Sequence, residues 1–136
     1  MEVVLDSNVL FKILISEGEI IKLIFDVRLV VFAPERLKQE FFSNKAEILG
    51  KSGLSEYEFD ELASLIFDVI EFVPLDEYKQ FLPKAKELLG EHEKDEDFIA
   101  LCLMKGIKLW TYEDLLFRIG FGISTKEVSK GLSTFA

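Results

Sequence analysis

The sequence predicts an α/β fold, three layers in the order α/β/α with a mostly parallel central sheet. Three observations point there. Short β-branched and aliphatic runs alternate with longer stretches of helical periodicity, the order that builds βαβ units. Those runs are apolar throughout, as strands are when helices cover both faces of a sheet. The chain has 136 residues, 49% of them hydrophobic and thirteen of them Phe, enough for a substantial core in one domain. A single domain over residues 1–136 is expected, because no repeat, low-complexity tract or linker interrupts the chain.

Val3-Val4-Leu5 reads as a buried strand, closed by Asp6-Ser7-Asn8, three residues suited to capping the helix that follows. Gly18 ends that helix, and a second is expected around Glu19 to Phe25. Leu29 to Ala33 reads as another strand, with Pro34 in the first turn of a third helix. That helix carries Leu37, Phe41 and Ile48 on one face and Glu40 beside it. Ser55 and Glu58 form a capping box, opening a helix with Phe59, Leu62, Ala63, Ile66 and Ile70 at helical spacing. Glu71 to Pro74 is a brief extended segment, and Asp76 is placed to cap a helix broken at Pro83 and stopped at Gly90. A dense acidic stretch, 91–97, leads into the nearly all-apolar helix Phe98 to Met104. Ile107 to Thr111 reads as a strand, and a capping box at Ser124 and Glu127 opens the final helix.

Composition narrows the function. No apolar run is long enough to cross a bilayer, and no basic segment precedes the first apolar stretch as in a signal peptide, so a soluble, cytoplasmic protein is expected. The lone Cys102 lies in an apolar run, which suits a buried thiol rather than a nucleophile. The only histidine, His92, sits among charged residues. The net charge of −9 disfavours a basic nucleic-acid groove, but bound cations would offset part of it at one place.

In open α/β sheets ligands bind beyond the carboxyl ends of the strands, and acids cluster there: Asp6 after the first strand, Glu113 and Asp114 after the last. Asp95 and Asp97 lead into the apolar helix, and Glu40 lies beside Leu37 and Phe41. Singly, each has a plainer role as a helix cap, turn residue or solvated side chain. Together they would repel unless cations or protons intervene. An all-oxygen set without a Cys or His cluster suits Mg²⁺ or Mn²⁺ rather than zinc.

Val4-Leu5-Asp6-Ser7-Asn8-Val9-Leu10 resembles the opening motif of PIN-domain nucleases. Asp95 to Leu103 is similar to that family's later motif, an Asp leading into an apolar helix, and Ile107 to Leu115 to its strand and Thr/Ser-x-acid segment. The resemblance implies a metal-dependent ribonuclease with Asp6, Glu40, Asp95 and Glu113 as catalytic acids. It implies that Asp97 can join them as a metal ligand, that either Glu113 or, through a shifted turn, Asp114 fills the last acid position, and that Ser7, Asn8 and Thr111 orient the carboxylates. Carboxylates would hold one or two Mg²⁺ or Mn²⁺ ions that activate water. Glu113 stands where the family usually has Asp. Lys12, Lys38, Lys45 and Arg118 are candidates for phosphate contacts. A short domain of this kind most resembles toxin ribonucleases of the VapC type. That implies an RNA substrate, a homodimer and an antitoxin partner, with Ile20, Ile21 and Ile24 available for contacts.

A binding or scaffold module that keeps the fold but has lost catalysis is the alternative, with Glu113 as its first symptom. Phosphotransfer folds of the receiver or haloacid-dehalogenase type also place Asp after the first strand. The dehalogenase type wants a second Asp where Asn8 stands, and receivers want a phosphoacceptor Asp on a central strand with a Lys ending a later one; neither pattern is found.

Overall fold

The computed structural model describes residues 1–16 and 18–134. The elements run β1 (Glu2–Leu5), α1 (Ser7–Ile15), α2 (Ile20–Ile24), β2 (Val30–Pro34), α3 (Arg36–Ser52), α4 (Glu56–Val69) and β3 (Ile70–Val73). They continue as α5 (Leu75–Tyr78), α6 (Leu82–Leu89), α7 (Glu96–Lys105), β4 (Leu109–Trp110), α8 (Asp114–Arg118), β5 (Gly122–Ile123) and α9 (Thr125–Ser133), with 3₁₀ turns at Lys79–Phe81 and Glu93–Asp95. The expected three-layer α/β/α architecture is present.

The five strands are all parallel, in the order β3-β2-β1-β4-β5. From β1 the chain steps outward to β2 and β3, then returns across the sheet to β4 and steps the other way to β5. The direction of winding therefore reverses between β1 and β4. A parallel sheet opens a crevice at such a point, beyond the carboxyl ends of the two strands.

Sheet residues Val3, Val4, Leu5, Val31, Ala33, Leu109 and Trp110 are all buried, which is why the strands are apolar on both faces. The helix α7 lies against β1, β2 and β4 and packs on α6. It buries five consecutive residues, Phe98 to Cys102, so it has no solvated stripe. Burial pushes the Cys102 thiol pKa up, as expected for an inert thiol. Leu37, Phe41 and Ile48 form the buried face of α3. Phe41 stacks on Phe59 at 5.9 Å and meets Phe67 edge-on at 5.0 Å, tying α3 to α4. Both capping boxes form, at Ser55 and Ser124. Among the described residues no helix is long and apolar enough to cross a membrane.

Several boundaries differ from expectation. Pro34 ends β2 rather than opening α3. Val30 donates its amide to Met1 of the β1 side, and Glu35 donates to Val73 of β3. By alternation the missing amide of Pro34 faces the β1 side, where pairing has already ended at Phe32; no ladder bond is lost. Ile70 begins β3 instead of closing α4. Asp76 lies inside the first turn of α5, whose cap is Pro74. The strand expected over Ile107 to Thr111 is only Leu109–Trp110, because the left-handed turn at Gly106 (φ 68°) precedes it. Neither α8 nor β5 was legible. In β5, a Cβ on Gly122 would lie 2.7 Å from the Phe117 ring, so packing demands the residue that hides the strand signal.

Candidate metal centre

The crevice between β1 and β4 is built around Asp6. Its side chain caps α1, Oδ1 accepting from the Ser7 amide at 2.8 Å. The same carboxylate accepts from the Thr111 hydroxyl through Oδ2 at 2.7 Å. The cap and the site are thus one residue. Thr111 is fully buried, and its Oγ1 also accepts from the Glu113 amide at 3.0 Å and from Asn8 Nδ2 at 3.4 Å. Asn8 Oδ1 in turn accepts from the Tyr112 amide at 3.4 Å. Asn8 and Thr111 therefore lash the turn after β1 to the turn after β4, and the Thr111 hydroxyl with the backbone amide of Ser7, not its side chain, fixes the Asp6 carboxylate.

Asp95 closes the 3₁₀ turn before α7 and is 4% exposed. One carboxylate oxygen from each of Asp6, Asp95 and Glu113 lies within 4.8 Å of the other two. The cleft holding them has a volume of about 220 Å³ and is also lined by Ser7, Asn8, Glu40, Asn44 and Lys94. Glu40 and Asn44 sit one turn apart on α3, Asn44 Nδ2 donating to the Glu40 carbonyl at 2.7 Å.

The sequence matches the PIN domain family over residues 4–132. This chain belongs to the PIN domain family. A search of curated proteins gave no matching relative. The family is generally one of metal-dependent nucleases, and the acid cluster of this PIN domain is compatible with that chemistry.

The donor set fits a hard cation on the residues' own chemistry. Asp95 Oδ2 is buried and has no hydrogen-bond partner among the described residues. A buried polar atom left unpaired costs free energy, and a cation would satisfy it. Burial pushes the Asp6 carboxyl up to about 6, against the hydrogen bonds from Thr111 and Ser7 and with help from the charges of Glu113 and Glu40. Burial also raises Asp95, reinforced by Asp6 and Glu113 and opposed by Lys94. Carboxyls that resist ionisation alone become good ligands when a cation supplies the missing charge. All three donors are oxygens, the preference of Mg²⁺ and Mn²⁺.

Two expected ligands lie elsewhere in this PIN domain. Asp97 follows Asp95 by two residues, and about 200° of helical rotation carries it to another side of the chain. There its Oδ1 accepts from Arg36 Nη1 at 3.3 Å and its Oδ2 from the Tyr78 hydroxyl at 2.5 Å. Asp114 is an exposed first residue of α8 and does not line the cleft; Glu113 occupies that corner.

The lysines and arginine expected to meet phosphate are also placed otherwise. Lys38 lies over the Phe72 ring and Lys45 pairs with Asp60 and Glu56, while Lys12 and Arg118 are not among the cleft residues. Sequence reasoning missed Lys94 and Asn44. Their only signals were adjacency to Asp95 and a one-turn spacing from Glu40. Ile20 and Ile24 are buried and serve the core rather than a free surface.

Proposed function

We propose that this PIN domain is a metal-dependent ribonuclease that hydrolyses RNA phosphodiester bonds, with Asp6, Asp95, Glu113 and Glu40 as its acids. One observation carries the reading: Asp95, a member of the carboxylate trio, has a buried Oδ2 without a hydrogen-bond partner among the described residues. A divalent cation held by these residues supplies Lewis-acid activation of water and charge neutralisation at the phosphate.

The chain's own residues have distinct parts. Asp6, Asp95 and Glu113 present converging oxygens. Thr111 and Ser7 hold Asp6 in one orientation through both of its oxygens, so little rearrangement is needed on binding. Asn8 keeps the two strand-end turns together. Lys94 places a positive group at the rim, available to a backbone phosphate. The presence of Glu113 in the trio, one methylene longer than Asp, supports activity over the reading of a scaffold that has lost catalysis.

The test is cleavage of RNA and single-stranded DNA with Mg²⁺, Mn²⁺ or EDTA, the parent beside Asp6→Asn and Asp95→Asn. RNA cleavage lost with EDTA and in both variants is expected. Activity surviving either substitution or chelation overturns the reading, and failure to bind Mn²⁺ returns the scaffold alternative. Resemblance to toxin ribonucleases supports a further part of the proposal, that the enzyme acts on cellular RNA as a toxin restrained by an antitoxin. Induced expression that leaves growth and RNA intact overturns that part alone.

A further inference from the structure

Glu40 stands apart from the other acids. It lines the cleft, yet the trio within 4.8 Å does not include it. Its Oε1 lies 3.5 Å from Arg36 Nε, one helical turn earlier. An ion pair of this spacing on an exposed helix holds nothing in place, because both side chains remain free to turn. Arg36 is not free. Its Nη1 donates to Asp97 Oδ1 at 3.3 Å, and the other oxygen of Asp97 accepts from Tyr78 at 2.5 Å. Tyr78 is 1% exposed. A chain of contacts therefore runs from a buried phenol on α5, through α7, to the arginine that opens α3 and on to Glu40. The guanidinium is a planar fork that can hold two carboxylates in fixed directions at once, which an ammonium cannot.

We propose that Arg36, anchored by Asp97 and Tyr78, is a positioning residue that sets where Glu40 meets a cation in the acid cleft. The inference rests on the metal-dependent reading above. Removing a group that orients a ligand from behind typically costs about 10- to 100-fold in metal affinity. It also gives Asp97 a role that its position beside Asp95 concealed: it holds the arginine, not the ion.

The experiment is Mn²⁺ binding to the full chain, followed by calorimetry and by the electron paramagnetic resonance signal of free Mn²⁺. The proteins are the parent, Arg36→Met, Glu40→Gln, their double variant, Arg36→Lys and Asp97→Asn. Arg36→Met is expected to weaken binding about 10- to 100-fold and to add nothing once Glu40 is Gln, since residues acting through one contact are not additive. Asp97→Asn should follow Arg36→Met in direction, and Arg36→Lys should restore only part of the affinity. An equal effect of Arg36→Met in both backgrounds shows an independent charge and overturns the inference, as does unchanged or tighter binding. A parent that binds no Mn²⁺ overturns the metal-site reading and this inference with it. If Arg36→Met does not fold in a thermal melt, Asp97→Asn, tested alone and with Glu40→Gln, decides by the same criterion.

Discussion

Thr111 donates its hydroxyl proton to Asp6 Oδ2 over 2.7 Å, joining the ends of β4 and β1 across 105 positions of sequence. Thr111 Oγ1 itself accepts from the Glu113 amide and from Asn8 Nδ2. One buried hydroxyl thus couples two strand ends, a helix cap and two of the cleft acids.

Replacing it tests that coupling. Thr111→Val keeps the shape but leaves the Asp6 oxygen and the Glu113 amide without their partner, a loss of roughly 1–3 kcal/mol. Urea unfolding should show that loss, and Mn²⁺ affinity should fall about 10- to 100-fold. Thr111→Ser should keep most of both. A Val variant with parental affinity would show that Asp6 needs no such support.

The pH dependence of stability follows from Asp6. Its folded value of about 6 lies above the ordinary 3.8, so the folded state holds more protons than the unfolded chain across that window. Stability in chelator therefore falls as pH rises from about 4 through 6, by at most about 3 kcal/mol from this group. Asp95, raised in the same sense, extends the fall upward. Asp26, held down at about 2 by Arg28, acts the opposite way only at lower pH. Thermal melts in EDTA should peak near about pH 4–5, and Mg²⁺ should restore the loss at about pH 8. A profile rising to neutrality in EDTA would contradict the assignment.

Neutralising an acid should separate stability from function. In chelator at about pH 8, Asp6→Asn should be at most about 2 kcal/mol more stable than the parent, because a buried charge is removed while the amide, with one acceptor oxygen in place of two, keeps only one of the bonds from Ser7 and Thr111. It should also lose Mn²⁺ binding and cleavage. Denaturant midpoints beside metal titration settle this; an Asn variant less stable than the parent in EDTA would show that the lost acceptor outweighs the buried charge.

Glu113 and Asp114 are neighbours with different surroundings. Glu113→Gln should abolish metal-dependent cleavage, since the trio loses one of three charged donors. Asp114→Asn should change the rate less than about twofold, as expected of an exposed residue outside the cleft. Cleavage rates at saturating Mg²⁺ distinguish them, and the reverse order would mean that the turn after β4 shifts on binding.

Packing gives an independent check on the core. Phe59 is fully buried and stacked on Phe41, so Phe59→Ala should cost about 3–5 kcal/mol. A cost under about 1 kcal/mol would mean that α3 and α4 do not meet as described.

What the sequence determined by itself was local. Asp6 as a cap, the boxes at Ser55 and Ser124, the α3 face of Leu37, Phe41 and Ile48, and the apolar run of α7 all arise between residues a few positions apart. Their signals are periodicity and capping chemistry, which need no knowledge of the rest of the chain. The alternation of strand and helix also implied the layers, and with them the end of the sheet where acids would matter. Tertiary structure decided what those acids do. Asp95 and Asp97 look alike in sequence, and helical rotation sends one into the cleft and the other to Arg36 and Tyr78. Lys94 and Asn44 became cleft residues only when α3 and the turn before α7 were brought together. The strand β5 emerged because β4 pairs with it despite its glycine. Asp6 meets Thr111 and Glu113 because β4 returns to lie beside β1. That partnership depends on strand order and register, which no local pattern carries.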